Sequence, residues 1–165
     1  MERHPCTHRL ARFGENGHPS MRQDSTTPRP EHHSLINSYG LPCEDISVSN
    51  LVKIDLSGNP VEEAPHPATP PASSTYSAIP AAQCALHTHS KAGCAVAAQE
   101  KALLPLVQIS MECLRGCRST SPNSRGSVAD LGGHPATIPH HHGLLTVGET
   151  CAQAFLRVRR AHRAP

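Results

Sequence analysis

The stretch APHPATPPASS, residues 64–74, puts four prolines into eleven positions and limits what can be built around it. Each proline removes a backbone donor and locks φ, so neither a helix interior nor a central strand can run through the segment. The regular elements must therefore form separately before and after a loop. Pro80 extends the restriction, because STYSAIPAAQ (74–83) can begin a helix that this residue kinks or ends.

Upstream of the loop, Ser34–Asn37 reads as a short strand running into a turn at Gly40. In NLVKIDLSGNP (50–60), Leu51, Lys53 and Asp55 alternate with Val52, Ile54 and Leu56, then meet Ser57-Gly58-Asn59. That pattern predicts a strand followed by a tight turn. Downstream, CALHTH (84–89) predicts a strand, and SKAGCAVAAQE (90–100) has small residues at helical spacing. Further strands are expected at Ala136–Ile138 and Leu144–Val147. ETCAQAFLRVRRAHR (149–163) places Cys151, Ala154, Phe155 and Val158 at i, i+3, i+4 and i+7, an amphipathic helix with a basic outer face. Strands and helices thus mix, as in an α/β or α+β domain. Residues 1–30 and 113–127 are polar and turn-rich, and we expect the first to be disordered or loosely attached and the second structureless.

At 165 residues the chain is long enough for one domain, but four aromatics and no tryptophan give it little large apolar surface with which to offset folding entropy. A formal charge of +2 is too small to argue for nucleic acid or a membrane surface, and neither is expected as a partner. Seven cysteines, an odd number without repeated spacing, read as free thiols of a reducing compartment; Cys113 and Cys117 have no second pair to complete a zinc module. The opening MERHPCTHRLARFG lacks the apolar core of a signal peptide, and no apolar run reaches the ~20 residues of a membrane helix. These features lead us to expect a soluble, cytoplasmic protein.

Histidine is the residue type with a chemical message. Alternate residues of a strand share a face, so His87 and His89 project together and can occupy two positions around one metal ion. A third ligand from IPHHHGLLT (138–146) would leave a coordination position for water or substrate, and the glycine there allows a tight turn. His-x-His alone is often structural, and a histidine triplet is often a solvated turn; the two segments together, each beside an apolar strand, favour a metal.

Three stretches in this order, EHHSLINSYGLPCEDISVSNLVKIDLSGNPVE, YSAIPAAQCALHTHSKAGCAVAAQEKALLPL and GLLTVGETCAQAFL, resemble the class II aldolase/adducin family. The resemblance covers roughly residues 30–112 and 127–157. It implies a three-layer α/β/α fold with a central, largely antiparallel sheet, here missing some of the family's elements. It divides the chain into an unmatched segment 1–29, a family-like domain 30–157 and a basic tail 158–165. It also implies a zinc (or other divalent) ion held by His87, His89 and His142, with His140 and His141 outside the ligand set. The family's enzymes use that metal in aldol cleavage of hydroxy-ketone or sugar phosphates through an enediolate, usually as tetramers. Tyr39 and Gly40 keep the turn that lines the substrate pocket in such relatives. The aldolases' acid/base glutamate falls near Ala72, where no carboxylate stands, and their phosphate-binding serines fall on Pro70 and Pro71. The histidines at the ends of one branch's HSAIH motif are here Tyr76 and Pro80. No residue is therefore assigned as catalytic acid/base; Glu44, Glu62 and Glu63 have no defined place in the pattern. Two other readings stand beside the enzyme: an adducin-like oligomerisation and binding domain, and an inactive product of an altered reading frame.

Overall fold

The computed structural model describes residues 22–26, 33–42, 45–55, 57–68, 84–100, 103–106, 108, 110–111, 116–119 and 131–162, with Arg22–Thr26 and Cys117–Ser119 as backbone. In chain order they form β1 (Arg22–Thr26), β2 (Ser34–Ile36), a 3-10 turn (Val48–Asn50), β3 (Val52–Ile54) and β4 (Cys84–Thr88). Then follow α1 (Lys91–Ala97), β5 (Cys117–Ser119), β6 (Ala136–Ile138), β7 (Leu144–Gly148) and α2 (Cys151–His162). These strands make one sheet in the order β3-β2-β1-β4-β7-β6-β5. All neighbours are antiparallel except β5 and β6. The fold is α/β around a largely antiparallel sheet, as expected.

Every residue of β4 and β7 is buried, so both faces of the sheet are covered at its centre. One face carries the larger core: Cys84, Leu86, Ile138 and Leu144 meet Ala97 of α1 and Ala154, Phe155 and Val158 of α2. The three α2 residues fall on the apolar stripe read from the sequence. Each large aliphatic side chain buried here is worth roughly 1.5–3 kcal/mol. Thr146, wholly buried on this face, donates from Oγ1 to the Ala154 carbonyl at 3.0 Å and ties β7 to α2. On the other face Ala85, Leu145 and Val147 pack with Leu131, and a third cluster joins Ile36, Val52 and Ile54.

Helix ends are capped by nearby side chains. Ser90 Oγ accepts from the Gly93 N–H at 3.0 Å to start α1. Thr150 Oγ1 accepts from Gln153 N at 3.1 Å, while Gln153 Oε1 accepts from Glu149 N at 2.8 Å, a reciprocal arrangement that starts α2.

Three expectations need correction. Arg22–Thr26 is a strand between β2 and β4 rather than part of a disordered segment, and Cys117–Ser119 is a strand paired with β6. Neither has apolar alternation; their backbones are specified by the strands they pair with, a tertiary effect that side-chain pattern does not carry. The third concerns residues 158–165: α2 continues to His162 with Val158 fully buried, so packing does not stop at residue 157. The helix considered at 74–83, and Pro70, Pro71, Ala72, Tyr76 and Pro80, lie outside the described residues. No helix among the described residues is long and apolar enough to cross a membrane.

Candidate metal centre

The register of the central strands gathers the marked residues at one end of the sheet. Thr88 lies opposite Leu144, so the chain just beyond β4 meets the chain just before β7. His87 sits on β4 on the face of Ala85, buried at 5% exposure, and His89, one step past the strand, is half-buried. His142 is exposed, on the turn that enters β7.

Two backbone bonds shape that turn. His142 N donates to the Pro139 carbonyl at 3.1 Å, and His141 N donates to the Ala97 carbonyl at the end of α1 at 2.9 Å. His141 takes φ +58° within it. Gly143 then has φ +112°, and a Cβ built there would lie 2.4 Å from the Thr88 carbonyl oxygen. Only glycine lets the chain pass this close to β4, and that passage brings His142 to the His87–His89 pair.

The three rings converge. Nε2 of His87 and Nε2 of His89 are 2.7 Å apart, and each of the three residues offers a nitrogen within 4.8 Å of the others'. His87 and His142 are stacked, with centroids 4.9 Å apart and planes at 27°; His89 meets both edge-on, at 4.6 and 5.0 Å. At 2.7 Å one Nε2 must donate a proton and the other accept it. Two nitrogens on one tetrahedral zinc stand ~3.3 Å apart, from Zn–N of about 2.0–2.1 Å. A small rotation of either ring reaches that spacing, so the donor set fits a divalent ion. His140 and His141 meet edge-to-face, centroids 3.8 Å apart and planes at 76°, and fall outside the convergent group.

Tyr39 and Gly40 reach the same end of the sheet by register. Ile36 lies opposite Asp24, and two residues onward are Ser38 and Arg22, the latter opposite His87. β2 is two strands from β4, about 10 Å. Ser38 anchors the turn: its Oγ donates to the Asn50 carbonyl, and the Tyr39 N–H donates to the Pro67 carbonyl at 2.9 Å. Asn50 in turn accepts from Ser47 N and donates to the Asp45 carbonyl, each at 2.9 Å. Tyr39 is 53% exposed and Gly40 has φ +82° with open space where a Cβ would stand. Sequence reasoning passed over this Ser38–Asn50 bracing, because only the fold brings the two residues together. Glu62 and Glu63 are exposed, and Glu44 lies outside the described residues.

Residues 6–164 match the profile of the class II aldolase and adducin N-terminal domain, a longer span than the stretches that resemble it by eye. A Caulobacter vibrioides protein named "Putative aldolase class 2 protein" is 38% identical over 141 residues, 78% of this chain and 55% of that protein. Rat alpha-adducin is 32% identical over 142 residues, 76% of this chain and 19% of adducin. This chain thus spans about half the length of the aldolase-type curated relatives it matches. Among solved structures, an aldolase II superfamily protein from Pseudomonas syringae superposes with TM-score 0.87 at 29% identity, covering 96% of this chain and 69% of that one. L-fuculose 1-phosphate aldolase from Glaciozyma antarctica shares the fold, with TM-score 0.86 at 23% identity over 96% of this chain and 67% of its own.

Proposed function

Because this chain belongs to the class II aldolase and adducin N-terminal domain family, we propose that it holds a divalent cation, zinc first among them, on His87, His89 and His142 and acts as an aldehyde-lyase on a hydroxy-ketone or sugar phosphate. The observation that carries this reading is the convergence of three imidazole nitrogens within 4.8 Å. Three protein ligands of this kind belong to open sites that keep a position for substrate. A bound cation supplies Lewis acidity toward a substrate carbonyl. The chain's own part is to orient: β4 holds His87 in the sheet, the Gly143 turn delivers His142, and the braced Tyr39–Gly40 turn is assigned to the substrate side. Gly40 leaves room for a ligand to approach the main chain. The reading carries with it a small-molecule substrate and a homo-oligomeric assembly, as a tetramer.

A second reading, a non-catalytic adducin-like binding domain, is favoured by the match to alpha-adducin and by the absence of a carboxylate at Ala72. The altered-frame reading, prompted by loss of resemblance at both ends and in the block 113–127, is weaker, since β1 lies in the opening segment, β5 lies in that block and the family match runs through both.

Elemental analysis of purified full-length protein, beside His142→Ala and His87→Ala, tests the centre. The proposal expects about one zinc per chain, lost in either variant. Zinc that is absent, or unchanged in the variants, overturns it. Given zinc, turnover of hydroxy-ketone phosphates, L-fuculose 1-phosphate among them, separates the lyase from the binding domain.

A further inference from the structure

A cavity of 320 Å³ opens at the end of the sheet opposite the histidines, where β7 passes into α2 and the 131–135 turn folds alongside. Gly148 pairs with Cys84 there, whereas Leu144 pairs with Thr88 beside the histidines, so the two places are about 13 Å apart along the strand. The volume lies within the range of small-molecule sites. Leu131, Pro135 and Val147 give the cavity apolar walls, and Gln153, Glu149 and Arg157 give it polar ones.

Arg157 decides what such a cavity would take. Its guanidinium donates one N–H to the Val147 carbonyl and is half-buried against the wall. Arginine carries five donors, so others remain for a ligand, in the forked arrangement that matches a carboxylate. Burial lowers the pKa of this group from its ordinary value, Glu149 raises it and Arg160 lowers it again. A cation part-withdrawn from water beside an apolar wall is complemented by an anion with an apolar body. Glu149, on the same lining, opposes a second negative charge.

We propose that this cavity is a second binding site, for a small monocarboxylate whose carboxylate meets Arg157 and whose apolar body lies against Leu131, Pro135 and Val147. It stands independently of the histidine centre and of the lyase reading.

The test is amide NMR of the full-length protein titrated with isovalerate, and with its neutral amide isovaleramide as control. Gly132, Gly133 and Gly148 line the cavity and serve as reporters. Saturable shifts of these amides with isovalerate are expected, at least ten-fold weaker with isovaleramide. Arg157→Gln should lose the binding, His142→Ala should keep it, and Glu149→Gln, a change at an exposed residue, should tighten it about two-fold or more. Should Arg157→Gln fail to fold, Glu149→Gln and the amide control decide alone. Equal response to acid and amide, no saturable response, looser or unchanged binding in Glu149→Gln, or shifts confined to His87 and His142 would each overturn the proposal.

Discussion

Gly143→Ala puts the largest strain on the candidate centre with the smallest change of chemistry. The added Cβ would stand 2.4 Å from the Thr88 carbonyl oxygen, well inside the 3.4–4 Å of ordinary contact, on a residue with φ +112°. Holding an L-residue at such a φ costs about 1–3 kcal/mol, and relieving the clash moves the turn away from β4. Together we expect about 2–4 kcal/mol of lost stability in the metal-free protein, a Tm lower by about 5–15 °C. A displacement of this size also misplaces His142, and zinc affinity should fall ~10–100-fold, the range seen when groups that orient ligands are lost. Thermal unfolding in chelator and a competitive zinc titration read the two effects separately. His142→Ala is the contrast: the ring is exposed, so the metal-free protein should keep its Tm while zinc binding is lost. If Gly143→Ala unfolds at the wild-type temperature and binds zinc as tightly, close passage of the turn over Thr88 does not assemble the centre.

Two further perturbations address the scaffold. Thr146→Val removes the buried bond to the Ala154 carbonyl with little change of shape and should cost about 0.5–1.5 kcal/mol in urea unfolding; no loss would mean that β7 and α2 are held by apolar contact alone. Asp55 caps the 55–59 turn, accepting from the Ser57 and Asn59 amides at 2.8 Å each, and the Asn59 backbone bond leads the causes that lower its pKa. A lowered folded pKa means its contribution is present above the unfolded value, about 3.9, and disappears as pH falls through the folded value. Wild type should therefore be more stable than Asp55→Asn near neutrality, with the gap closing below about pH 4; a gap that stays constant across an acid titration of Tm would contradict this.

How far the sequence could be read depended on where each element's information resides. The α2 stripe was legible because helical periodicity and burial coincide: Ala154, Phe155 and Val158 are all in the core. β4 and β7 were legible because apolar runs next to glycine and histidine leave few alternatives. His87 and His89 followed from the two-residue period of a strand, although the strand itself stops at Thr88. β1 could not be read, since RQDST has no periodic apolar signal, and it becomes a strand because β2 and β4 leave a gap that hydrogen bonds on both edges fill. β5 is the same case at the other side of the sheet, where β6 supplies the pairing.

For the candidate centre, the sequence by itself determined which donors exist: two histidines two apart on a strand, and a third before a glycine. Tertiary structure chose the turn that brings this third histidine, His142, to the His87–His89 pair, and decided why Gly143 must be glycine. That choice depends on the Ala97 carbonyl holding His141 and on the Thr88 carbonyl lying where a side chain would stand. Both are atoms of distant segments, and a local pattern contains no information about them. The same holds for the far cavity, whose walls come from residues 131–135 and from 147–157 and exist only once β6, β7 and α2 have packed.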